Sequence, residues 1–509
     1  MRVAVLDLGS NSFRLLVADV DDDGSILPVL REREMLHLGG VVAEHGGIDD
    51  ASLARAGSAA HHLSQLAKRT GADRRIVVAT AAIRDSDNRQ NVVSTLSEAT
   101  GEEVRVLTGE EEASLAFLGA AASVSMPPGA HLVLDLGGGS LELAIGRTTE
   151  VEWSASVNLG VSRMWAEVGR AEPLTADAIA YLTSRVRDTL APLRAAIDSY
   201  GPVAVVSVGG ANRSLAQLIA PERMRWQPET LNQFLVTRDE VDTLSTLLLD
   251  TPRRGRLKMP GMKSSRAAQM PTAAVIVSTV LEALGMDRTH LSYWGLREGA
   301  ILDAFGITNV PTGPALRPAS IERMERRFSP LGVHDAHVAR LAAQIFDQLG
   351  PVHRLDDTDA ELLEYGARLH TIGMGVAFRS HHRHGSYLVE HSEFRGFDPT
   401  EIAVLACLVR YHRRGIAEAD YVPYQALSAQ SRLRVDRLTA LLHLADALDR
   451  SLDQSIRDVR LDVVADKLEI HLTGSHMALR KDWTDRAREA FKATFDMDLE
   501  FAEDATISV

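Results

Sequence analysis

The sequence predicts an α/β chain of two similar lobes followed by a helical domain. Three observations predict it. A strand–glycine turn–strand unit occurs twice, at domain-sized spacing. Each copy is followed by short apolar runs alternating with helical stretches, the pattern of an α/β lobe. Beyond a break at 307–318 that holds three prolines and a glycine, the periodicity becomes helical.

The clearer unit is LVLDLGGGSLELAIG at 132–146. The apolar run Leu132 to Leu134 reads as a buried strand, Gly137-Gly138-Gly139-Ser140 as a tight turn, and the run carrying Glu142 as the returning strand. Three glycines leave backbone N–H groups uncovered, so an anionic oxygen can approach several at once. Asp135 and Glu142 place carboxylates at the same turn. They would repel a bare phosphate, so a divalent cation between them is expected. The first copy, VAVLDLGSNSFRLLVA at 3–18, superposes on the second with a shift of 128 positions. Asp7 falls on Asp135, Ser12 on Ser140 and Arg14 on Glu142. Two such lobes with facing glycine turns form a cleft for a polyphosphate and its metal.

The rest of the first lobe, 1–128, follows in order. A strand is expected near 27–38, with His37-Leu38-Gly39-Gly40 as a turn. Residues 51–69 have helical spacing, and Arg75 to Thr80 form a buried strand. Arg84, beyond that strand's end, is placed either to meet a phosphate or to pair with Asp85 or Asp87. After the strand at 104–107, Thr108 and Glu111 fit a capping box, and Glu110 suits the first-turn dipole. Glu112 has no such structural task. It is either a solvated helix-start glutamate or a partly buried carboxylate facing the cleft.

Met126-Pro127-Pro128-Gly129 is a natural hinge into the second lobe, 129–308. There a strand is expected at 151–159, a helix at 175–198, a strand at 203–210 ending in two glycines, and an apolar helix at 272–285. Tyr293 to Asp303 closes this lobe, with Arg297 and Glu298 paired or facing the cleft. A helical domain is expected at 318–456 and a small α+β element at 457–509, where Val459 to Leu472 and Leu499 to Val509 alternate. Arg379, His382, Arg383 and His384, with Arg410, His412 and Arg413, form two basic clusters. They read as a solvated face, a metal tract or an anion-binding surface; forked donors favour the last.

Composition excludes several functions. A chain of 509 residues, 45% hydrophobic and 24% charged, makes several globular domains. Its net charge of −14 and few aromatics argue against a nucleic-acid coat. Cys407 lies in an apolar run and reads as core. The early acid at position 7 breaks a signal peptide, and no apolar run spans a bilayer, so a cytoplasmic chain away from membranes is expected.

On DLGSNSFRL (7–15), ATAAIRDSDN (79–88), TGEEEA (108–113), DLGGGSLEL (135–143) and GLREG (295–299), the chain resembles the exopolyphosphatase and guanosine pentaphosphate phosphatase family. That family belongs to the actin-like ATPase and sugar kinase superfamily, so two actin-like, ribonuclease-H-like lobes are implied. LHTIG (369–373), HHRHGSYL (381–388) and VRYHR (409–413) resemble the helical domain of its long members. The resemblance implies hydrolysis of a terminal phosphoryl group from inorganic polyphosphate or from pppGpp, with Mg²⁺ or another divalent cation, in a homodimer; a non-catalytic polyphosphate or alarmone binding protein is the alternative of a different class. It places the catalytic base on Glu112, the metal carboxylates on Asp135 and Glu142 with Asp7 at the matching turn, and phosphate contacts on Asn11, Ser12, Arg84, Gly138, Gly139 and Ser140. Arg14 and Gly137, on the same two turns, join the phosphate set. Two departures stand out: Gly210-Ala211 where the family often has Gly-Thr, and Ala268 where many short members have an acid. The helical domain also resembles metal phosphohydrolases of the His-Asp type, with His337, His370 and Asp446 as candidate ligands. Thr371 stands where their paired aspartate would be, so an extended anion path without metal is expected there.

Overall fold

In the computed structural model, the two glycine hairpins open two sheets of matching design. The structure describes residues 1–21, 24–307, 310–414, 416–417, 419–474, 479–502 and 507–508. In the first lobe, β1 (Arg2–Leu8), β2 (Ser12–Val20), β3 (Ile26–Met35), β4 (Arg74–Ala79) and β5 (Val104–Val106) form a sheet of order β3-β2-β1-β4-β5. In the second, β6 (His131–Leu136), β7 (Leu141–Arg147), β8 (Glu150–Val157), β9 (Ala204–Val208), β10 (Leu235–Thr237) and β11 (Arg288–Leu291) run β10-β11-β9-β6-β7-β8. The core of each is the same: two antiparallel pairings at the hairpin side and a parallel partner across it. The shared register is visible at the turns. Asp7 lies opposite Arg14 in β1/β2, and Asp135 lies opposite Glu142 in β6/β7. These are two actin-like lobes.

Strand β1 shows why its sequence makes a central strand. Ala4, Leu6 and Leu8 enter one hydrophobic core and Val3 and Val5 the other, so both sheet faces are covered. The helix Gly109–Ala121 has a different role. Leu115 packs into the first-lobe core with Val3, Val5 and Val78. Ala113, Ala116, Phe117 and Ala120 pack with Val133, Ala144 and Val206 of the second sheet. The small-residue stripe thus lets one helix fit between two sheets. The helix Leu296–Ala304 crosses it at van der Waals contact of backbones. A Cβ on Gly119 would stand 2.2 Å from the Gly295 carbonyl oxygen, and one on Gly299 would stand 1.9 Å from that of Leu115.

Some expectations change. His37-Leu38-Gly39-Gly40 is not a turn: Leu38–His45 is a helix entered through His37 in the left-handed region, φ 57°. The strand expected at 203–210 stops at Val208, because Gly209 turns with φ 91° into the helix Gly209–Arg223. The helix Leu296–Ala304 does not close the second lobe; Leu296, Ile301 and Leu302 pack into the first-lobe core. The break at 307–318 is shorter than expected, since a helix begins at Leu316; 308–309 lie outside the described residues.

The chain divides into two compact units, Met1–Arg223 with Leu231–Leu316, and Met224–Thr230 with Arg317–Val509. The second is a helical body around Leu341, Ile345, Leu362, Leu405, Leu408, Leu438 and Leu442. It carries a small sheet of β12 (Ile456–Val464), β13 (Lys467–Gly474) and β15 (Asp498–Phe501), and a two-stranded pair of β14 (Leu479–Arg480) and β16 (Ile507–Ser508). Of the expected alternating tail, 503–506 and 509 lie outside the described residues. Among the described residues no helix is long and apolar enough to cross a membrane. Cys407 is buried.

The glycine crossing gives a test. Alanine favours a helix by about 1 kcal/mol over glycine, yet Gly119→Ala and Gly299→Ala should each cost about 1–3 kcal/mol, because backbone cannot yield to the new methyl. Chemical denaturation measures this; a stabilised variant would contradict the crossing.

Candidate active site

The two glycine turns face each other across the first unit. A Cβ on Gly138 would stand 3.1 Å from the Asn11 Cβ, and one on Gly139 would stand 2.7 Å from the Ser10 hydroxyl. Glycine is needed here so that the lobes can close. The second turn is anchored from behind by the helix Val161–Glu167. Val161 N–H donates to the Gly137 carbonyl at 3.1 Å, Ser162 N–H to that of Gly138 at 2.9 Å, and Gly160 N–H to that of Gly139 at 3.3 Å. In a trans peptide N–H and C=O point opposite ways. The N–H groups of Gly138, Gly139 and Ser140 therefore face away from that helix.

Between the turns lies a cavity of about 90 Å³. Asp7, Asn11, Ser12, Arg14, Glu112, Asp135, Gly137, Gly138, Gly139 and Ser140 line it. The sequence-selected residues of both lobes therefore meet in one cleft. Glu142 lies directly behind, 1% exposed. Its Oε1 accepts from the Ser156 hydroxyl at 2.9 Å, and its Oε2 is buried with no hydrogen-bond partner among the described residues. The Asn11 Oδ1 is orphaned in the same way.

Glu112 is buried on the first turn of its helix, whose Thr108–Glu111 capping box forms as expected. Arg84 reaches it. One Nη1 donates to Glu112 Oε2 at 3.0 Å and to the Leu107 carbonyl at 3.1 Å, while Nε stands 3.4 Å from Asp85. Arg84 thus orients Glu112 and does not line the cavity.

Electrostatics crowds like charges in the cleft. Burial, then mutual repulsion, disfavours carboxylate charge. Burial and Asp135 push Glu142 up to about 8. Burial pushes Asp135 up to about 6, against the pull of Arg14 and Arg213. Burial and Glu142 raise Glu112 well above the ordinary glutamate value, against Arg84. Beside these carboxylates stand Arg14, Arg213, Arg266 and Arg297, all lining the same cavity. Burial, then Arg14, pushes Arg213 down to about 10 and Arg266 to about 9. Like charges crowd among Glu112, Asp135 and Glu142 and among the arginines, and the two groups meet where Arg14 stands 4.0 Å from Asp7 and Arg297 3.9 Å from Glu298. Asp135 and Glu142, hard oxygen donors with an orphaned buried oxygen, fit a small divalent cation, and Asp7 stands at the matching turn.

Arg213, Arg266 and Gln269 were not selected from sequence; Arg297, expected to pair with Glu298 or face the cleft, does both. One signal existed: Arg213 lies one turn into the helix that opens with Gly209-Gly210; in the structure a Cβ on Gly210 would stand 2.1 Å from the Arg266 guanidinium.

In the second unit, His382, Arg383, Arg410, Arg413, Arg414 and Arg486 line a cavity of about 180 Å³ with Tyr411. His384 is half-buried and Arg379 exposed outside that lining. His412 is a correction: it is fully buried, so it belongs to no surface. His337 is another. Its Nε2 bonds the Ile456 carbonyl at 2.9 Å, and the histidine that meets His370 is His334.

The sequence model of the Ppx/GppA phosphatase family matches residues 16–306, and that of Ppx/GppA phosphatase domain III matches 316–488. The chain belongs to the Ppx/GppA phosphatase family. It is a hydrolase of that family. It is 26% identical over 470 residues to the guanosine-5'-triphosphate,3'-diphosphate pyrophosphatase of Vibrio vulnificus, covering 92% of this chain and 91% of that protein. It is 32% identical over 336 residues to an uncharacterised protein of Streptomyces coelicolor, covering 65% of this chain and 97% of that one. Among solved structures, an exopolyphosphatase from Cytophaga hutchinsonii is 26% identical with a TM-score of 0.56, covering 61% of this chain and 99% of that one. The Aquifex aeolicus Ppx/GppA family member is 25% identical with a TM-score of 0.52 over the same shares.

The raised carboxyl values predict a pH dependence. In metal-free buffer the folded state holds protons on Asp135 and Glu142 that the unfolded chain has released. Stability should therefore fall as pH rises from about 4 to 8. Mg²⁺ should restore it at the upper end, and Glu142→Gln should flatten the decline, both read from thermal unfolding.

Proposed function

We propose that this chain is an exopolyphosphatase that releases terminal orthophosphate from inorganic polyphosphate by attack of water. The observation that carries this reading is the cleft itself, where the buried Glu112 and Glu142 gather with Asp135 beside four partly buried arginines. Phosphoryl transfer needs in-line positioning and cancellation of charge on the equatorial oxygens. Glycine-turn amides from both lobes, with Asn11 and Ser12, hold the terminal phosphoryl group. Asp135 and Glu142, with Asp7, would hold Mg²⁺, which when bound neutralises phosphoryl charge. Arg14, Arg213, Arg266 and Arg297 hold the following phosphates.

Glu112, oriented by Arg84, acts as the base. Burial keeps its carboxylate basic enough to take a proton from water. The water oxygen bonds to the terminal phosphorus, the bridging P–O bond breaks, and its electron pair leaves on the shortened chain. A spare glutamate beside the phosphates favours water over an organic acceptor, which argues against a kinase. The arginine cavity of the second unit suits remote phosphates of a long polyanion.

Hydrolysis of pppGpp is the second reading, favoured by the similarity along nearly the whole chain to the Vibrio vulnificus enzyme. Phosphate release with Mg²⁺, on long-chain polyphosphate and on pppGpp in parallel, separates the two. Faster release from polyphosphate is expected, together with a steep loss at high salt. Arg383→Ala with Arg413→Ala should slow polyphosphate turnover and spare pppGpp. Glu112→Gln should keep the fold and lose about 10²–10⁴-fold in turnover. Release from pppGpp alone would move the function to the second reading. Wild-type rates in Glu112→Gln would sink both.

A further inference from the structure

The helical unit holds a second set of converging side chains that the cleft chemistry does not use. His334 comes from the helix Gly332–Gln348, His370 from the end of Asp357–Leu369, and His381 from the start of His381–Glu390. His412 follows Pro399–Tyr411, and Asp446 lies on Ala429–Leu448. Each is no more than 4% exposed. Burying so many titratable groups together is costly unless they share a ligand or a proton.

Their hydrogen bonds fix which ring nitrogen carries hydrogen. The Nδ1 atoms of His370, His381 and His412 lie 2.6, 3.1 and 2.8 Å from the carbonyl oxygens of Ala367, Phe378 and Val409. A carbonyl only accepts, so each Nδ1 donates and each Nε2 keeps its lone pair. His334 Nδ1 likewise donates to Asp449 at 2.8 Å. The freed Nε2 atoms then face one another: His334 and His370 at 3.3 Å, His381 and His412 at 3.2 Å. Two lone pairs at that separation repel unless a cation joins them.

A carboxylate completes the first pair. Asp446 Oδ1 stands 3.5 Å from His334 Nε2 and 3.6 Å from His370 Nε2. Donors held about 2.0–2.1 Å from a tetrahedral ion stand about 3.3–3.4 Å apart. The triangle of 3.3, 3.5 and 3.6 Å is therefore the face of a coordination tetrahedron. Arg450 Nη1 donates mainly to the other oxygen of Asp446, at 3.0 Å against 3.5 Å to Oδ1, so Oδ1 lies as close to the two histidine nitrogens as to the guanidinium. The Asp449–His334 pair has the form of a carboxylate that orients a ligating imidazole. Asp335, with ligand atoms of His334 and His370 within 4.8 Å, is a further carboxylate, and its two oxygens accept from Thr371 at 2.7 Å. The missing carboxylate at position 371 thus has a replacement from another helix.

We propose that His334, His370 and Asp446 bind a divalent first-row transition-metal ion, with the His381–His412 pair as further nitrogen donors beside it. A nitrogen-rich set selects zinc, iron, cobalt or manganese over magnesium, so this centre differs in kind from the oxygen site of the cleft. A proton shared between His334 and Asp446 is the rival account of the same cluster.

The test uses the full-length chain, stripped with chelator and titrated with Co²⁺ in excess Mg²⁺. Bound metal is counted by mass spectrometry, and the visible absorption of Co²⁺ reports its ligand field. About one Co²⁺ or more per chain should survive desalting, with the intense bands of a tetrahedral-type site. His370→Gln should abolish those bands, and Asp449→Asn should weaken affinity about 10–100-fold. Asp135→Asn with Glu142→Gln should leave them unchanged. If His370→Gln fails to fold, the Asp449→Asn affinity and a Co²⁺-dependent rise in the wild-type melting temperature decide. No retained Co²⁺ in the wild type, equal binding in folded His370→Gln, or loss of the bands in the cleft variant would each overturn the proposal.

Discussion

One helix held between two sheets fixes the chemistry of the first unit. Gly109–Ala121 contributes Leu115 to one lobe's core and Phe117 to the other's. Its position along the axis is set where backbones touch, Gly119 against Gly295 and Gly299 against Leu115. Interiors packed this closely transmit small displacements. The first turn of that helix carries Glu112, so the same contacts that join the lobes set the distance from the glutamate to both glycine turns. Alanine would favour this helix locally, and glycine is present because the neighbouring helix requires it.

The second constraint is electrostatic. The cleft folds with like charges close together, carboxylates around Glu142 and guanidinium groups around Arg213, relieved in part by the Arg14–Asp7 and Arg297–Glu298 pairs. Such a site is not built for stability, since buried unpaired charge costs more than it returns. A ligand that carries both signs, such as the proposed polyanion with its cation, would relieve both groups. Preorganised donors of this kind need no rearrangement when charge develops on a transferring phosphoryl group. Arg84 differs from the other arginines: it donates to Glu112 and holds that carboxylate in place.

Much of this was legible because the two hairpins repeat. A shift that superposes Asp7 on Asp135 also superposes Arg14 on Glu142, and both pairs are cross-strand partners. Elimination left Glu112 without a capping or dipole role but open between a solvated and a partly buried carboxylate; the family resemblance singled it out, and the fold buries it. The arginines were legible only in part. Arg14 and Arg297 were selected, but Arg213 and Arg266 come from separated segments, and only the tertiary fold brings all four to one cavity. The helical unit misled in another way. His334 and His337 lie one turn apart on a helix with a broad apolar face, and periodicity alone does not choose between them. Packing does: His334 is buried against Asp449, and His337 bonds a strand carbonyl at its edge.

The account rests on a phosphate chain and its cation lying between the two glycine turns. A crystal structure of the Glu112→Gln variant with Mg²⁺ and a short polyphosphate measures that directly. The terminal phosphoryl group should contact Gly138, Gly139 and Ser12, with Mg²⁺ on Asp135 and Glu142 and the next phosphates on Arg213 and Arg266. Polyphosphate bound only at the arginine cavity of the helical unit, with the cleft holding neither ion nor phosphate, would contradict it.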